Sequence, residues 1–445
     1  MSAAFASDLF AGRRYAVLGL GRNGSAAACA LAAMGAEVTA WDDREPARAA
    51  LATPPAGVSL SPLRDPAGFT ALVLSPGIPH RLPEPHPFAA RALASGLPVL
   101  SDAELLFEAV RRSGSGARFA GITGTNGKST TTALLAHLLD TAGIAHAAGG
   151  NLGPAALSLP LLPDDGVYVL EMSSYMLERV QTLRFDAACL LNLSPDHLDR
   201  HGDLAGYGAA KLAIFARQTA SDLAVLGLDD PWSRDQEARL GQAPARLATI
   251  SGAFGVAAGP ALPGAHNAQN AAAASVMALH LGAAPDAVAA GLASFTGLPH
   301  RQRQVADVGG IAFVDDSKAT NADAAARALG CYGRLVWIAG GLAKSGGIEA
   351  LAPLFPRIAE ALLIGRDAAL LADTLARHGV RHRIVGDLAH AVPAAFASAQ
   401  LNQVRVVLLS PACASFDQFA SFEARGIEFA ALAHGLHAPP ARRAG

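Results

Sequence analysis

The sequence predicts an α/β protein built from three domains. The chain has 445 residues, which is enough for about three domains at roughly 150 residues each. Three successive segments alternate apolar strands with glycine-containing turns and Ala/Leu-rich helices, a pattern typical of parallel sheets covered by helices. Hydrophobic residues make up 51% of the chain, so each segment can bury a core of its own.

Composition excludes several functional classes. Lys and Arg number 35 against 37 Asp and Glu, a net charge of −2, which argues against nucleic-acid binding through a basic surface. The longest stretch without charged residues, 247–285, is interrupted by Pro and Gly, so no membrane insertion is expected. The N-terminus lacks the basic region of a signal peptide. Four separated cysteines without a C-x-x-C motif indicate reduced thiols and no structural zinc, as in a cytoplasmic enzyme.

The first segment contains a glycine-rich loop between a strand and a helix. Its sequence is Gly19-Leu20-Gly21-Arg22-Asn23-Gly24, a G-x-G-x-x-G motif that lets a diphosphate approach the helix N-terminus. Asp42 ends the next strand, near where a ribose-binding acid would lie. The motif predicts a diphosphate nucleotide without deciding whether it is NAD, and a tight turn without ligand is the alternative. The predicted elements around the loop are strands over 15–18, 38–41 and 71–74 and a helix over 25–34.

The second segment runs from Arg118 to about 296, after a predicted linker over 111–116. It opens with a phosphate loop that ends in Gly127-Lys128-Ser129-Thr130. This loop departs from the usual P-loop because Ile122 occupies the position of its first glycine. Its functional end is intact, since Lys128 can reach the β- and γ-phosphates and Ser129 can bind Mg²⁺. The loop therefore predicts ATP binding.

Polar residues follow the later strands of this segment. Glu171 ends the buried strand pattern 167–170, beside the phosphate loop, where a magnesium-organising carboxylate belongs. A strand predicted over 189–193 leads into a loop with two acids and two histidines, which includes His197 and lies at the ligand edge of a parallel sheet. By itself His197 could equally be a surface histidine.

Lysine is scarce in this chain. Only four of the 35 basic residues are lysine, and the others are arginine. Lysine offers a compact charge and an amine that can lose its proton, and arginine offers neither. A retained lysine is therefore a candidate for a specific task, with chance survival as the alternative. Lys211 shares one helix face with Tyr207 and Phe215, and by position alone it could be a solvated helix lysine. The four lysines of the chain are Lys128, Lys211, Lys318 and Lys344.

The third segment, which begins near Gly297, is predicted to contain strands over 335–338, 361–364 and 404–409. Two longer motifs flank these strands, Asp316-Ser317-Lys318-Ala319-Thr320-Asn321 and Ser410-Pro411-Ala412-Cys413-Ala414-Ser415-Phe416-Asp417-Gln418-Phe419. Residues 121–130 resemble the ATP loop of the Mur ligases. The two motifs of the third segment closely resemble those of the glutamate-adding members of that family, and the resemblance extends from Gly19 to Arg425.

The resemblance implies three domains with divided tasks. A Rossmann-like domain over 1–106 would bind the UDP part of the substrate, a central P-loop ATPase-like domain with a mostly parallel sheet over 107–297 would bind ATP, and a Rossmann-like domain over 298–445 would bind the amino acid. The implied UDP-substrate residues are Gly19, Leu20, Gly21, Arg22, Asn23, Asp42, Asp43, Arg44, Ser75, Gly77 and Asn151. The implied ATP residues are Gly124, Thr125, Asn126, Gly127, Lys128, Ser129, Thr130, Asn270, Arg301 and Asp316. The implied glutamate residues are Lys318, Thr320, Lys344, Ser415 and Phe422.

The resemblance also implies a reaction. A cytoplasmic, monomeric enzyme would use ATP to join D-glutamate to UDP-N-acetylmuramoyl-L-alanine through an acyl phosphate. Two Mg²⁺ ions are implied, with Lys211 acting as a ligand after carbamylation by CO₂, and His197 is one candidate acceptor for the amine proton. The implied metal ligands are Ser129, Glu171, His197 and Lys211, and the implied catalytic residues are Lys128, His197, Lys211 and Arg301.

Three positions depart from the family pattern. Ser421 replaces a common Asn, Met176 a usual Gln, and Gln302 a common Phe, but none of them removes a phosphate or metal ligand. Three alternatives remain at this point. They are an NAD-dependent dehydrogenase, a regulatory nucleotide-binding module, and a ligase that adds another amino acid or extends folate with glutamate.

Overall fold

Three β-sheets, one in each predicted segment, organise the fold. The structure is a computed structural model that describes residues 4–254, 262–344 and 346–436. These residues form two compact units. The first unit contains 4–254 and 267–295 and carries two sheets, and the second contains 262–266 and 296–436 and carries one. The α/β class with parallel sheets is confirmed.

The first sheet has five parallel strands in the order β3-β2-β1-β4-β5. The central strand β1 is apolar and buried because the sheet has helices on both faces. Strands β2 and β3 are added on one side of β1, and β4 and β5 are added on the other side. Ligands of open α/β sheets bind at such a switch point, which here lies between β1 and β4. The strands are β1 (Arg14–Leu18), β2 (Glu37–Trp41), β3 (Val58–Leu60), β4 (Ala71–Leu74) and β5 (Val99–Leu100), and the helices are α1 (Arg22–Ala33), α2 (Glu45–Ala49), α3 (Pro87–Ala94) and α4 (Asp102–Arg112).

The second sheet has six parallel strands in the order β11-β10-β9-β6-β8-β7. Its strands are β6 (Arg118–Thr123), β7 (His146–Gly150), β8 (Val167–Glu171), β9 (Ala187–Leu190), β10 (Leu223–Gly227) and β11 (Arg246–Ile250). The phosphate loop follows β6, and β8 and β9 flank that strand. The carboxyl ends of these three neighbouring strands therefore place the loop, Glu171 and the segment after β9 at one edge.

Eight helices accompany the second sheet in the described part of the chain. They are α5 (Lys128–Thr141), α6 (Ser174–Leu177), α7 (Leu198–His201), α8 (Leu204–Leu212), α9 (Pro231–Asp235), α10 (Glu237–Leu240), α11 (Ala265–His280) and α12 (Pro285–Ser294). Leu134, Leu135, Leu138 and Leu139 form the buried stripe of α5. Short 3₁₀ turns lie at Ala156–Ser158, Ala213–Phe215 and Gly252–Phe254.

The third sheet has six strands in the order β12-β13-β17-β14-β15-β16, and only the β12–β13 pair is antiparallel. Trp337 and its neighbours on β14 are fully buried between the two helix layers. The strands are β12 (Arg303–Val308), β13 (Ile311–Asp315), β14 (Leu335–Gly340), β15 (Ile358–Ile364), β16 (His382–Gly386) and β17 (Val406–Leu409), and the helices are α13 (Ala322–Gly330), α14 (Ala368–Arg377), α15 (Leu388–Leu401) and α16 (Phe422–His434), with a 3₁₀ stretch at Glu349–Arg357.

Several predicted boundaries need correction. The strand predicted over 189–193 covers Ala187–Leu190, because the backbone after it pairs with the phosphate loop instead of a neighbouring strand. Helix α1, predicted to begin at 25, begins at Arg22, within the glycine motif, and ends at Ala33. The predicted linker 111–116 is a fixed turn, since the Arg111 guanidinium donates hydrogen bonds to the carbonyl oxygens of Ser115 and Ala117. In the described ranges no helix is long and apolar enough to cross a bilayer.

Candidate active site

Asp42 holds the first glycine loop in place. Its Oδ2 accepts a hydrogen bond from the Leu20 amide at 2.8 Å, and its Oδ1 accepts one from the Arg44 amide at 2.9 Å. Burial alone would raise the pKa of Asp42, but hydrogen bonds from Arg44 and Leu20 bring that pKa below its usual value. The carboxylate therefore stays ionised and fixes the turn that follows β1.

A cavity of about 570 Å³ opens over this loop. It has the size of a small-molecule site and brings together nine of the eleven residues expected to bind the UDP substrate. Leu20 is buried and contributes its amide to Asp42. The nine predicted residues in the lining are Gly19, Gly21, Arg22, Asn23, Asp42, Asp43, Arg44, Ser75 and Gly77.

Side chains join this loop to the second sheet. Arg22 donates a hydrogen bond to the Asn151 carbonyl oxygen at 2.6 Å, and Asn23 donates one to the carbonyl oxygen of Gly150, the last residue of β7, at 3.4 Å. Glu104 on α4 accepts four hydrogen bonds from Gln181, Thr182 and Leu183. The two sheets of the first unit are therefore connected by specific polar contacts as well as by a shared apolar core.

Arg179 is a further buried connection that sequence reasoning missed. Its Nη1 donates to the carbonyl oxygens of Leu74 and Ser75 at 2.5 and 3.3 Å, and its Nε donates to that of Tyr175 at 2.7 Å. Burial lowers its pKa to about 10, so the guanidinium remains charged at neutral pH. It ties the carboxyl end of β4 to the segment after β8. No local pattern distinguishes this arginine from the 30 others.

The phosphate loop is held by the segment after β9. Asn192 accepts a hydrogen bond from the Asn126 amide at 3.0 Å and donates one to the Asn126 carbonyl oxygen at 3.1 Å. Gly127 has a φ of +87° and caps α5. A Cβ at this glycine would collide with the Asn270 side-chain oxygen, so Asn270 lies directly against the loop. Ser129 and Thr130 follow in the first turn of α5, and both are buried.

Two lysines meet at the phosphate loop. Lys128 Nζ donates hydrogen bonds to the carbonyl oxygens of Gly124 and Thr125, both at 2.8 Å, and Lys211 Nζ donates one to Gly124 at 2.9 Å. Lys211 is 1% exposed, and its Nζ lies 4.6 Å from the centre of the Tyr207 ring. Burial and the positive charge of Lys128 place the pKa of Lys211 well below its usual value. Lys211 is therefore not the solvated helix lysine that its position allowed.

Glu171 is suited to a cation. Asn151 Nδ2 donates a hydrogen bond to Glu171 Oε1 at 2.8 Å, whereas Glu171 Oε2 is buried without a hydrogen-bond partner. A buried carboxylate oxygen of this kind is a ligand that Mg²⁺ prefers. No group of three His, Cys, Asp or Glu side chains able to hold a metal occurs in the described ranges. A magnesium site here therefore needs other donors, such as the Ser129 hydroxyl, phosphate oxygens or a modified lysine.

A second cavity, of about 300 Å³, adjoins the first at Pro76 and Gly77, which line both. His197 lies in its wall with a left-handed backbone (φ 53°) and a side chain 45% exposed. Asn151, predicted for the UDP substrate, lines this cavity instead of the larger one. The lining residues are Pro76, Gly77, Thr125, Lys128, Asn151, Ser173, Ser174, Tyr175, Asp196, His197, Tyr207 and Lys211.

In the second unit, Asp316 lies at the carboxyl end of β13. Its Oδ2 accepts a hydrogen bond from Ser410 at 2.7 Å, and its Oδ1 accepts one from the Gln302 amide at 3.2 Å. Burial raises the pKa of Asp316 to about 7, against the lowering effects of Ser410 and the Arg301 charge. His300 Nδ1 lies 2.6 Å from Asp315 Oδ2 on the same edge.

The residues expected to bind glutamate surround the end of the third sheet. Lys318 Nζ lies 4.0 Å from the centre of the Phe422 ring. Ser415 is buried after β17, and Thr320 is half-buried after Lys318. Lys344 is exposed on the loop after β14.

Buried Arg425 supports this edge and was not predicted. It donates hydrogen bonds to Ser317, to the Cys413 carbonyl oxygen and to that of Gly340. It thus links the ends of three neighbouring strands, a role that only the tertiary structure reveals.

Comparisons with known proteins identify the family of this chain. The family profile described as "Mur ligase middle domain" matches residues 122–258. The chain is 48% identical over 452 residues to a UDP-N-acetylmuramoylalanine–D-glutamate ligase of Paramagnetospirillum magneticum, which covers 95% of this chain and 97% of the relative. It is 44% identical to the enzyme of the same name from a Caulobacter species, over 98% and 99% of the two chains. The chain belongs to the Mur ligase family.

A solved Mur ligase has the same fold. The crystal structure of UDP-N-acetylmuramate–alanine ligase from Thermotoga maritima superposes with a TM-score of 0.59 at 19% identity, over 95% of this chain and 99% of that one. As a Mur ligase, the protein is an enzyme, an ATP-dependent ligase of peptidoglycan precursor synthesis. Membership excludes the dehydrogenase and the regulatory module as alternatives.

Proposed function

We propose that this Mur ligase joins D-glutamate to UDP-N-acetylmuramoyl-L-alanine. The observation that carries this proposal is the 44–48% identity, over nearly the whole chain, to relatives that are named for this reaction. Of the two glycine-rich loops of the first unit, one suits the diphosphate of the UDP substrate and the other suits the phosphates of ATP. A ligase for another amino acid is the remaining alternative.

The substrate diphosphate would lie in the larger cavity. The glycine loop at the start of α1 lines this space, and a helix N-terminus favours negative charge. The lining residues Arg22 and Arg44 add positive charge. The L-alanine end would then extend past Pro76 and Gly77 into the smaller cavity.

Amide formation requires an activated carboxylate. We propose that the L-alanine carboxylate attacks the γ-phosphorus of ATP and forms an acyl phosphate and ADP. Positioning and charge neutralisation dominate such phosphoryl transfers. Lys128 provides one positive charge at the loop. Arg301, whose charge acts on Asp316, would provide a second positive charge. Asn270, which lies against Gly127, would contact the adenine, and Asp316 would contact the ribose.

The amine of D-glutamate would then attack the acyl phosphate. Lys318 and Lys344 would pair with its carboxylates, assisted by the Ser415 hydroxyl, while Thr320 and Phe422 complete the pocket. A C–N bond forms, a tetrahedral intermediate collapses, and inorganic phosphate leaves.

Mg²⁺ would be held by chain residues at two places. Ser129 and Glu171 would hold one ion, consistent with the unpaired Oε2 of Glu171. His197 and Lys211 would hold the other only after the lysine has become a carbamate, because a charged amine repels a cation. When bound, Mg²⁺ neutralises negative charge on the transferring phosphate. The low pKa of Lys211 favours the neutral amine that reacts with CO₂.

The proposal is tested by phosphate release. The purified enzyme with ATP and Mg²⁺ should release phosphate only when UDP-N-acetylmuramoyl-L-alanine and D-glutamate are both present. L-Glutamate, D-alanine and L-lysine are tested in place of D-glutamate, and a folate monoglutamate with L-glutamate is tested in place of both substrates. Release at full rate without D-glutamate, or with any of these replacements, would contradict the proposal. We further propose a cytoplasmic monomer, which cell fractionation and light scattering would test.

A further inference from the structure

A carboxylate, an imidazole and a hydroxyl are aligned beside the smaller cavity. His201 Nδ1 lies 3.1 Å from Glu178 Oε1, and His201 Nε2 lies 3.0 Å from Ser174 Oγ. Ser174 belongs to the lining of that cavity, together with Lys128 and Lys211. We name these three residues the relay. The sequence drew attention to the loop that contains His201, but the reaction described above gives His201 no task.

The imidazole of His201 has one fixed orientation. Its side chain is 1% exposed, and the Tyr175 ring stacks on it at 5.7 Å with an interplanar angle of 13°. The Tyr207 ring packs against it at 5.2 Å. Two aromatic neighbours and two hydrogen bonds immobilise the ring, so both nitrogens point along the relay. Preorganisation of this kind is what a proton-transfer group requires.

The charges of the relay favour the tautomer of His201 that carries its proton on Nδ1. Burial alone would raise the pKa of Glu178, but the hydrogen bond and charge of His201, with those of neighbouring His80 and Arg179, bring it below its usual value. An ionised Glu178 accepts the Nδ1 proton of His201, which leaves Nε2 free to accept the Ser174 proton. A carboxylate that orients an imidazole beside a hydroxyl is the arrangement that activates a serine in hydrolases.

We propose that the relay removes the proton that the D-glutamate nitrogen loses as it attacks the acyl phosphate. This inference rests on the proposed function. The incoming ammonium first releases one proton to water. As the C–N bond forms, the nitrogen gives a second proton to Ser174 Oγ, while the Ser174 proton moves to His201 Nε2. Glu178 stabilises the imidazolium. The bond from the carbonyl carbon to the phosphate oxygen then breaks, and the departing phosphate takes the proton from His201.

His201 is better placed for this task than His197. The His197 side chain is 45% exposed and lies beside an acidic neighbour, Asp196, at 3.6 Å. As a proposed metal ligand, His197 would have its lone pair occupied. His201 keeps an acceptor nitrogen for Ser174 and is separated from the proposed ligands by Tyr175 and Tyr207.

The test separates acyl phosphate formation from its use. His201→Gln and Ser174→Ala are assayed for phosphate release with all substrates, and for hydroxamate formation with ATP, UDP-N-acetylmuramoyl-L-alanine and hydroxylamine but no D-glutamate. Hydroxylamine is uncharged at neutral pH and traps acyl phosphates without a base. We expect kcat with D-glutamate to fall about 100-fold in both variants, with hydroxamate formation unchanged.

Two controls match these changes. His390→Gln removes the histidine of an exposed His–Asp pair in the second unit, and Ser95→Ala removes a serine at the end of α3. Both should keep the wild-type rates. Equal loss of both activities in the relay variants, or no loss of kcat, would overturn the proposal. If wild type itself forms hydroxamate but shows no response to D-glutamate, the proposed amino acid is wrong instead.

Discussion

The Nζ atom of Lys211 donates a hydrogen bond to the carbonyl oxygen of Gly124 at a distance of 2.9 Å. Helix α8 therefore reaches into the phosphate loop through a buried amine. The chain keeps a lysine here although it uses arginine at nearly every other basic position. Only an amine that can lose its proton can react with CO₂, so the chemistry of this residue and the geometry of the loop are connected.

Replacing Lys211 with alanine should abolish activity that a small acid restores in part. The expected loss is about 100-fold or more in kcat, because a ligand and a loop contact both disappear. Acetate or formate can occupy the space and supply the missing carboxylate. Phosphate release measured against carboxylate concentration checks this, with chloride at equal ionic strength as control. Near-normal activity without added acid would show that Lys211 is only a structural residue.

Lys128→Ala should lose turnover without chemical rescue. Its amine now binds two loop carbonyl oxygens and would turn to the ATP phosphates. Loss of such a contact costs about 10²–10³ in kcat. Steady-state phosphate release measures the effect, and circular dichroism verifies folding. Recovery with acetate would contradict the separate tasks assigned to the two lysines.

Asp42→Asn should weaken binding of the UDP substrate. The variant loses one acceptor for the loop amides, and the cost of about 1–2 kcal/mol corresponds to a KM about tenfold higher. We expect kcat to stay close to wild type. Asp65→Asn is a matched control, because exposed Asp65 also accepts a hydrogen bond from the amide two residues on. An effect on kcat alone would be inconsistent with a binding role.

Glu104→Gln should destabilise the first unit. The buried Glu104 carboxylate accepts four hydrogen bonds. In the variant the NH₂ group of the glutamine side chain would face N–H and O–H donors of residues 181–183, so we expect a loss of about 1–3 kcal/mol in the free energy of unfolding. Denaturant titration measures it. Glu108→Gln on the same helix removes partly exposed ion pairs with Arg13 and Arg112 and should cost under about 1 kcal/mol. Equal losses of unfolding free energy in the two variants would contradict this prediction.

Asp316 should make stability depend on pH. Its pKa is raised from 3.8 to about 7, so the folded protein holds this proton more tightly than the unfolded chain. Wild type therefore loses stability as pH rises from about 4 to 7, and Asp316→Asn removes that loss. The melting temperature of the variant relative to wild type should rise across this range and level off above it. A difference that is constant with pH would be the contrary result.

Local patterns predicted much of this structure. The strand before each loop and the position of Glu171 at the end of β8 follow from short stretches of sequence. Nine predicted substrate residues line one cavity because they belong to three turns, after β1, β2 and β4, at the same sheet edge. The roles of Lys128, Ser129 and Glu171 came from their sequence patterns, and the other roles in catalysis came from the family resemblance. All of them stay predictions.

Long-range contacts were not predictable in the same way. Asn270 lies against Gly127 across 143 positions of sequence, and Arg425 binds the ends of three strands. The relay joins Ser174 and Glu178 to His201 because α6 and α7 both pack against α8. Neither hydrophobic periodicity nor residue spacing in the sequence predicts such contacts, because each contact depends on where separate helices and strands meet.

The buried guanidinium of Arg179 has a consequence for protein engineering. It supplies hydrogen bonds to the turn that follows β4 from a residue more than a hundred positions later. Grafting the first hundred residues onto another ligase would bury two carbonyl oxygens without their donor. Chimeras joined just before α4 should therefore express poorly unless the recipient ligase also has an arginine at the position of Arg179.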